Sequence, residues 1–315
     1  MALTRRRLLA AMAAGAARAR AQARAGGAVK PRGGPSVCLY SQVLSKVDHV
    51  DLPMVLRGLG FDGCDLSVQP GGHVPPEKAG LYLMPALEAL TGAGLDVPMI
   101  TTALTGLDAL AQEVLGLSGL IGVPFFRPGH WKLSGSPEVE HRLAQVQREI
   151  AGLASLGRAT GMAMGIHNFA GEPEGASVSD INRLIRPLDP RWVGFDFDAG
   201  FASQGAPGAM NVALSLALPR LKMVSLRDFQ WAASADGAAE GARKTTPCPL
   251  GEGVVEWAPL FAALARARFS GPISLQVDYQ PKDELAAIRR DLQFVRKQMS
   301  AAYGAIGLAR GSQRA

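Results

Sequence analysis

Cysteine is nearly missing from this sequence. The three that occur, Cys38, Cys64 and Cys248, make an odd number with no Cys-x-x-Cys spacing. That excludes a disulfide framework and a zinc cluster as organising devices. Cys38 and Cys64 fall in apolar, strand-like runs and read as core residues. Aromatic residues are sparse as well, while Ala, Gly and Leu are abundant, the composition of a soluble globular protein. No Gly-x-Gly-x-x-Gly follows the first apolar run, which argues against a dinucleotide-binding fold and a nucleotide cofactor.

Acidic residues are absent from the first 27 positions, which hold six arginines: Arg5, Arg6, Arg7, Arg18, Arg20 and Arg24. These account for the whole formal charge of +6, so the remainder of the chain is close to neutral and carries no broad footprint for a nucleic acid. Thr4-Arg5-Arg6-Arg7-Leu8-Leu9 resembles the twin-arginine export motif, and Ala-x-Ala sites end at Ala23 and Ala25. Residues 1–25 therefore read as an export signal that would deliver the protein to the periplasm. A mitochondrial presequence or a disordered basic tail is the alternative. The apolar run from Leu8 to Ala17 is too short to span a bilayer, so no stable membrane insertion is expected. Residues 26–34 read as a linker and 305–315 as a loose tail.

Between them, from 35 to 304, short apolar runs alternate with stretches of helical period eight times. The strand candidates cover 36–41, 62–68, 96–102, 121–127, 162–168, 192–198, 221–228 and 272–278. The clearest helix places Val139, Leu143, Val146, Ile150 and Leu153 on one face. A last helix is expected from about Asp283 to Tyr303. Eight strand-helix pairs in about 270 residues predict a single-domain α/β fold, a (β/α)8 TIM barrel with a parallel sheet.

Alternation along each strand then sorts the side chains. If Val193, Phe195 and Phe197 face the helices, Asp196 and Asp198 face inward; if Ile273, Leu275 and Val277 face out, Ser274, Gln276 and Asp278 face in. The same parity offers Asp65 and Ser67 on the second strand, Arg127 on the fourth, Gly165 and His167 on the fifth, and Ser225 and Arg227 on the seventh. Any one of these could be a structural ion pair, Asp278 with Arg227 for instance. Together they converge on the C-terminal mouth, where barrel enzymes carry their chemistry.

Gly60 to Leu66, the GMAMGIHN, VGFDFDAG and LKMVSLRDF strands, PLGEGVVEW (249–257) and GPISLQVDY resemble, in order, elements of the xylose isomerase-like TIM barrel superfamily, the sugar phosphate isomerases and epimerases together with endonuclease-IV-type proteins. The resemblance runs from about Val37 to Val295. It implies one divalent metal, Mn, Mg, Co or Zn, held by Glu, Asp, His and Glu from strands five to eight. At those positions this chain has His167, Asp198, Ser225 and Gln276, so only Asp198 is retained. The remaining candidate ligand set is Asp198, His167 and Gln276, with one negative charge, to which His130 could add from the loop after strand four. The family's Asp-Thr-Gly-His on strand six reads Asp198-Ala199-Gly200-Phe201 here. Asp278, one step nearer the mouth than Gln276, is the compensating carboxylate.

Two functions follow. The first is an isomerase or epimerase, or a lyase on an oxidised sugar, moving a proton beside a carbonyl. His167 and Asp278 would be its catalytic pair, and Asp65, Arg127, His130, Trp131, Ser225, Arg227 and Trp231 its carbohydrate-binding residues. The two loop tryptophans would stack on a sugar face or serve as packing lids. The second is a non-catalytic carbohydrate-binding relative. DNA repair of the endonuclease type is disfavoured, since it needs a His-rich metal cluster and the chain has only His49, His73, His130, His141 and His167. The sequence sets no oligomeric state.

Overall fold

A computed structural model describes residues 34–132, 139–170, 176–205, 208–232 and 244–311. The leader, at residues 1–25, and most of the linker lie outside the described residues. Eight parallel strands close into one barrel: β1 (Val37–Tyr40), β2 (Gly63–Val68), β3 (Asp96–Thr102), β4 (Phe125–Arg127), β5 (Ala163–His167), β6 (Val193–Asp198), β7 (Leu221–Leu226) and, after an intervening hairpin, β10 (Ile273–Leu275), which pairs back with β1. The expected (β/α)8 barrel is the observed fold.

The helices of the outer ring are α1 (Leu52–Leu59), α2 (Ala79–Gly92), α3 (Ala109–Ile121), α4 (Val139–Thr160), α5 (Val178–Ile185), the short α6 (Ala199–Ala202), α7 (Ala209–Ala217), α8 (Trp257–Arg266) and α9 (Glu284–Gly311). None of the described helices is long and apolar enough to cross a membrane. Amphipathic spacing seats the ring. Val146, Ile150 and Leu153 of α4 are fully buried, as are Phe195 and Phe197 on the outer face of β6, and this interlocking apolar layer supplies most of the stabilisation. Cys38 and Cys64 are buried free thiols, as expected of core residues.

The strand boundaries differ from the sequence reading where apolar runs continue past the ladder. Residues 121 and 122 end α3, with Gly122 in the left-handed conformation of a helix C-cap, so β4 is only three residues long. The β10 ladder stops at Leu275, leaving Asp278 on the rim. The final helix continues to Gly311 rather than ending near Tyr303. Strand seven stops at Leu226, and the chain then forms an unexpected antiparallel hairpin, β8 (Asp228–Trp231) with β9 (Thr245–Cys248). Thr-Thr-Pro-Cys has too little apolar alternation to signal a strand; its partner creates it.

Candidate active site

The inward parity places a stack of polar side chains inside the barrel. In the lower layer Asp65 is fully buried and accepts hydrogen bonds from Thr101 Oγ1 and Ser274 Oγ, both at 2.7 Å. Asp196 accepts from Ser225 Oγ at 2.9 Å and from Arg127 Nη1 at 3.3 Å. Burial raises both carboxyls. Asp196 reaches about 7, with Arg127 opposing the shift and Asp65 and Asp198 adding to it. Arg127 lies 5.1 Å from the ring centroid of Tyr40. These charges neutralise one another as a closed network, which removes most of the cost of burying them.

The upper layer centres on Asp198. Its Oδ2 accepts from Arg227 Nε at 2.6 Å and from His167 Nε2 at 3.2 Å, and its Oδ1 accepts from the Phe201 amide at 2.8 Å, capping α6. Asn168 fixes the backbone on either side, donating to the Asp198 carbonyl at 3.0 Å and accepting from its amide at 2.8 Å. Burial alone would raise Asp198; Arg227, His167 and the Phe201 amide outweigh it and hold the carboxyl below its usual value.

Arg227 also donates Nη1 to Asp278 Oδ2 at 2.7 Å, and its guanidinium rests 4.5 Å from the centroid of Phe201. A third of the Asp278 side chain is exposed, against none of Asp198. Desolvation still raises the Asp278 carboxyl, with Arg227 pulling against it.

His167 is buried, and loss of solvation drops its imidazole to about 3, with the Asp198 bond opposing the shift. The neutral ring donates from Nε2 to the carboxylate, which leaves Nδ1 as a buried lone pair with no partner among the described residues. Phe169 and Phe201 pack against the ring at 4.4 and 5.8 Å, and His130 sits edge-on to Phe169 at 4.1 Å. His130 comes near His167, with centroids 6.5 Å apart, and stays at the exposed rim.

Several expectations change. Trp131 is buried in the apolar core, and its indole N–H donates to the Thr105 carbonyl at 3.0 Å, so neither ring face is open for stacking. Trp231 sits on the hairpin, half-buried, edge-on to Phe229 at 5.1 Å and packed against the core. The metal set does not assemble. Gln276 turns its amide down to Ser274 Oγ at 3.0 Å, His167 spends Nε2 on Asp198, and Arg227 occupies the remaining approach to that carboxylate. Among the described residues no group of three or more His, Cys, Asp and Glu is placed to hold a metal ion. A divalent cation prefers several carboxylate oxygens, and one carboxylate already saturated by a guanidinium does not supply them.

Beside Ser67 stands a polar wall that the parity of the strands sorted above does not signal. Tyr40 donates to Gln42 Oε1 and accepts from Gln69 Nε2, each at 2.6 Å, and Ser67 Oγ reaches the same Gln42 oxygen at 3.3 Å. Tyr40, Gln42 and Gln69 are half-buried at the ends of β1 and β2. The alternation used for the other strands, applied to β1 and β3, would have pointed Tyr40 and Thr101 inward. Gln42 and Gln69 follow their strands and carry no periodic signal.

A family model described as xylose isomerase-like TIM barrel matches residues 56–298. Inosose dehydratase of Serratia proteamaculans (strain 568) is 25% identical over 165 residues, 50% of this chain and 51% of that protein, so the match spans about half the length of this curated relative. Among solved structures, 3-keto-D-glucoside 4-epimerase from E. coli superposes with a TM-score of 0.64 at 16% identity, covering 84% of this chain and 99% of that one. A xylose isomerase-like TIM barrel protein from Mycobacterium smegmatis, in complex with magnesium, gives a TM-score of 0.67 at 15% identity, covering 85% and 97%. At such identities the solved structures speak for the fold alone. The family model spans most of the barrel, from α1 through β10 into α9, and by it the chain belongs to the xylose isomerase-like TIM barrel family, whose fold sugar epimerases share.

Proposed function

We propose that the barrel mouth takes a small keto-sugar or keto-cyclitol and moves a proton on the carbon beside its carbonyl. An isomerase results if the proton is returned to the former carbonyl carbon, an epimerase if a proton reaches the same carbon from the opposite face, and a lyase if a neighbouring hydroxyl leaves as water instead. The observation that carries this reading is the Arg227–Asp278 pair at the wet rim of an otherwise closed polar mouth. Asp278 is the base. Its carboxylate reaches solvent, and burial makes it a stronger base than a free aspartate. As it takes the proton, the electron pair of the C–H bond forms a C=C bond, the π pair of the C=O bond moves onto oxygen, and Arg227 is placed to neutralise the enediolate. His167 is a positioning residue in this scheme. It is neutral, covered by aromatic rings, and acts by holding Asp198 and through it Arg227. Tyr40, Gln42 and Gln69 offer donors and acceptors to substrate hydroxyls.

The test is solvent exchange. D-allulose, a 3-keto-glucoside and an inosose, chosen because relatives are named for such compounds, are incubated with the protein in deuterated water and followed by NMR. One of them should lose the C–H signal beside its carbonyl, and Asp278→Asn should slow that exchange by at least ~100-fold. Unchanged exchange in Asp278→Asn removes its role as base. Binding without any exchange in the wild type makes the mouth a carbohydrate-binding site only.

Export through residues 1–25 is part of the same proposal. The Arg-Arg-Arg run ahead of a weakly apolar stretch supports it. In a bacterial host with a twin-arginine pathway, replacing Arg5, Arg6 and Arg7 by lysine should shift the protein from the periplasmic to the cytoplasmic fraction. An unchanged distribution would sink the reading.

A further inference from the structure

We propose that Arg227 is a built-in cation: its guanidinium fills the place between Asp198 and Asp278 that a divalent ion would have to take, so the mouth holds its ligand with no metal. The two carboxylates rise from β6 and from just beyond β10, the strands on either side of β7, and they converge on one point. The group at that point comes from the residue that directly follows β7. Nε meets Asp198 at 2.6 Å and Nη1 meets Asp278 at 2.7 Å, so one planar fork ties together both neighbouring strand ends.

The surroundings are shaped for this side chain. A Cβ at Gly200 would lie 2.4 Å from Arg227 Cγ and 2.8 Å from its carbonyl oxygen, so the residue two beyond Asp198 has to be glycine for the arginine to lie across it. The next residue, Phe201, supplies the ring face under the guanidinium. The Asp198-Ala199-Gly200-Phe201 turn thus binds an arginine with a carboxylate, a gap and an aromatic face. Asp198 has accepted three hydrogen bonds by then, from Arg227, His167 and the Phe201 amide, and a metal could reach it only by displacing the guanidinium.

The second amino group of Arg227, Nη2, makes no hydrogen bond among the described residues. It is the donor left for an anionic oxygen, whether an enediolate or a carboxylate. That last point rests on the proton-transfer reading above; the exclusion of metal does not.

Metal binding is measured without substrate, so its outcome is separate from that of the exchange experiment. Wild type, Arg227→Ala and the double variant Arg227→Ala with Asp198→Asn are dialysed against EDTA and titrated with Mn2+ by electron paramagnetic resonance and thermal shift at pH 8. Wild type should bind no Mn2+ tighter than millimolar, with a melting temperature unchanged by EDTA or Mn2+. Arg227→Ala exposes two carboxylates to each other and should gain a Mn2+-dependent rise in melting temperature that the double variant lacks. Stoichiometric, tight Mn2+ in the wild type overturns the proposal, and so does a folded Arg227→Ala protein that gains no affinity. If Arg227→Ala does not fold, the wild-type titration decides the matter by itself.

Discussion

Replacing Asp228 by alanine is expected to cost about 4 kcal/mol of stability at neutral pH. Asp228 is 1% exposed and follows Arg227 directly. Its Oδ2 accepts from the amides of Gly251 and Gly253 at 2.9 and 3.1 Å and from Trp257 Nε1 at 3.0 Å. Its Oδ1 accepts from the amides of Phe229 and Val255 at 2.9 and 3.2 Å. One carboxylate therefore terminates five donors, four of them backbone groups of the hairpin and of the Pro249–Trp257 loop. Each buried donor left unpaired costs about 1–3 kcal/mol, and collapse of the loop recovers part of the sum. For a domain of this size the loss corresponds to a fall in melting temperature of roughly 10 °C. Asp228→Asn should recover only part of it, because its amide group would face the Gly251, Gly253 and Trp257 donors. Gly253 belongs to the same device, since a Cβ there would sit 2.0 Å from Asp228 Oδ1, and Gly251 adopts a left-handed φ of 85°. Urea or thermal unfolding checks the expectation; an Asp228→Ala protein melting within 2 °C of wild type would show that the loop stands without its hub.

This aspartate shows where the sequence is legible and where it is not. The barrel follows from eight apolar runs with period-2 alternation, and the same alternation brings Asp65, Arg127, His167, Asp196, Asp198, Ser225, Arg227 and Gln276 to the interior. Parity says which face a residue takes; it does not say what it meets there. His167 faces the mouth as expected, yet Phe169, two residues on and outside any strand, closes over it. Asp198 matches a metal-ligand position only by resemblance, and Arg227, 29 residues later, donates to its Oδ2. Asp228 reads from sequence as the end of a strand, and three of its five partners, Gly251, Gly253 and Val255, lie 23 to 27 residues away in a loop with no periodicity. PLGEGVVEW was legible as a motif, and its physical reason, two glycines presenting amides to one carboxylate, became visible only once β8 was in place. Trp131 is buried and Trp231 half-buried because tertiary packing, rather than local pattern, sets the burial of a loop tryptophan.

His167→Gln and Asp196→Asn should give pH-stability profiles of opposite slope, each on the order of 4 kcal/mol across the acid range. The two groups titrate abnormally for the same reason, loss of solvation, which acts against whichever form is charged. For Asp196 the neutral acid is favoured, and its value rises from 3.8 to about 7. The folded protein then holds a proton that the unfolded chain has lost. Its contribution is fully present below pH 4 and is lost as pH rises through 7. For His167 the neutral base is favoured, and its value falls from 6.5 to about 3. Here the unfolded chain binds the extra proton, so the contribution is present above pH 6.5 and is lost as pH falls toward 3. In the wild type the two slopes oppose each other between about pH 4 and 6.5, and their sum is nearly flat there. Removing His167 leaves the Asp196 slope, so His167→Gln should lose stability as pH rises from 4.5 to 7. Asp196→Asn should gain stability over the same interval. Urea unfolding at pH 4.5, 5.5, 6.5 and 7.5 reads both directly, and because every other titrating group is common to the two proteins, the difference between their slopes isolates this pair. Slopes of the same sign in both variants would mean that water reaches one of the two side chains, and the closed, mutually neutralised interior below the mouth would have to be abandoned.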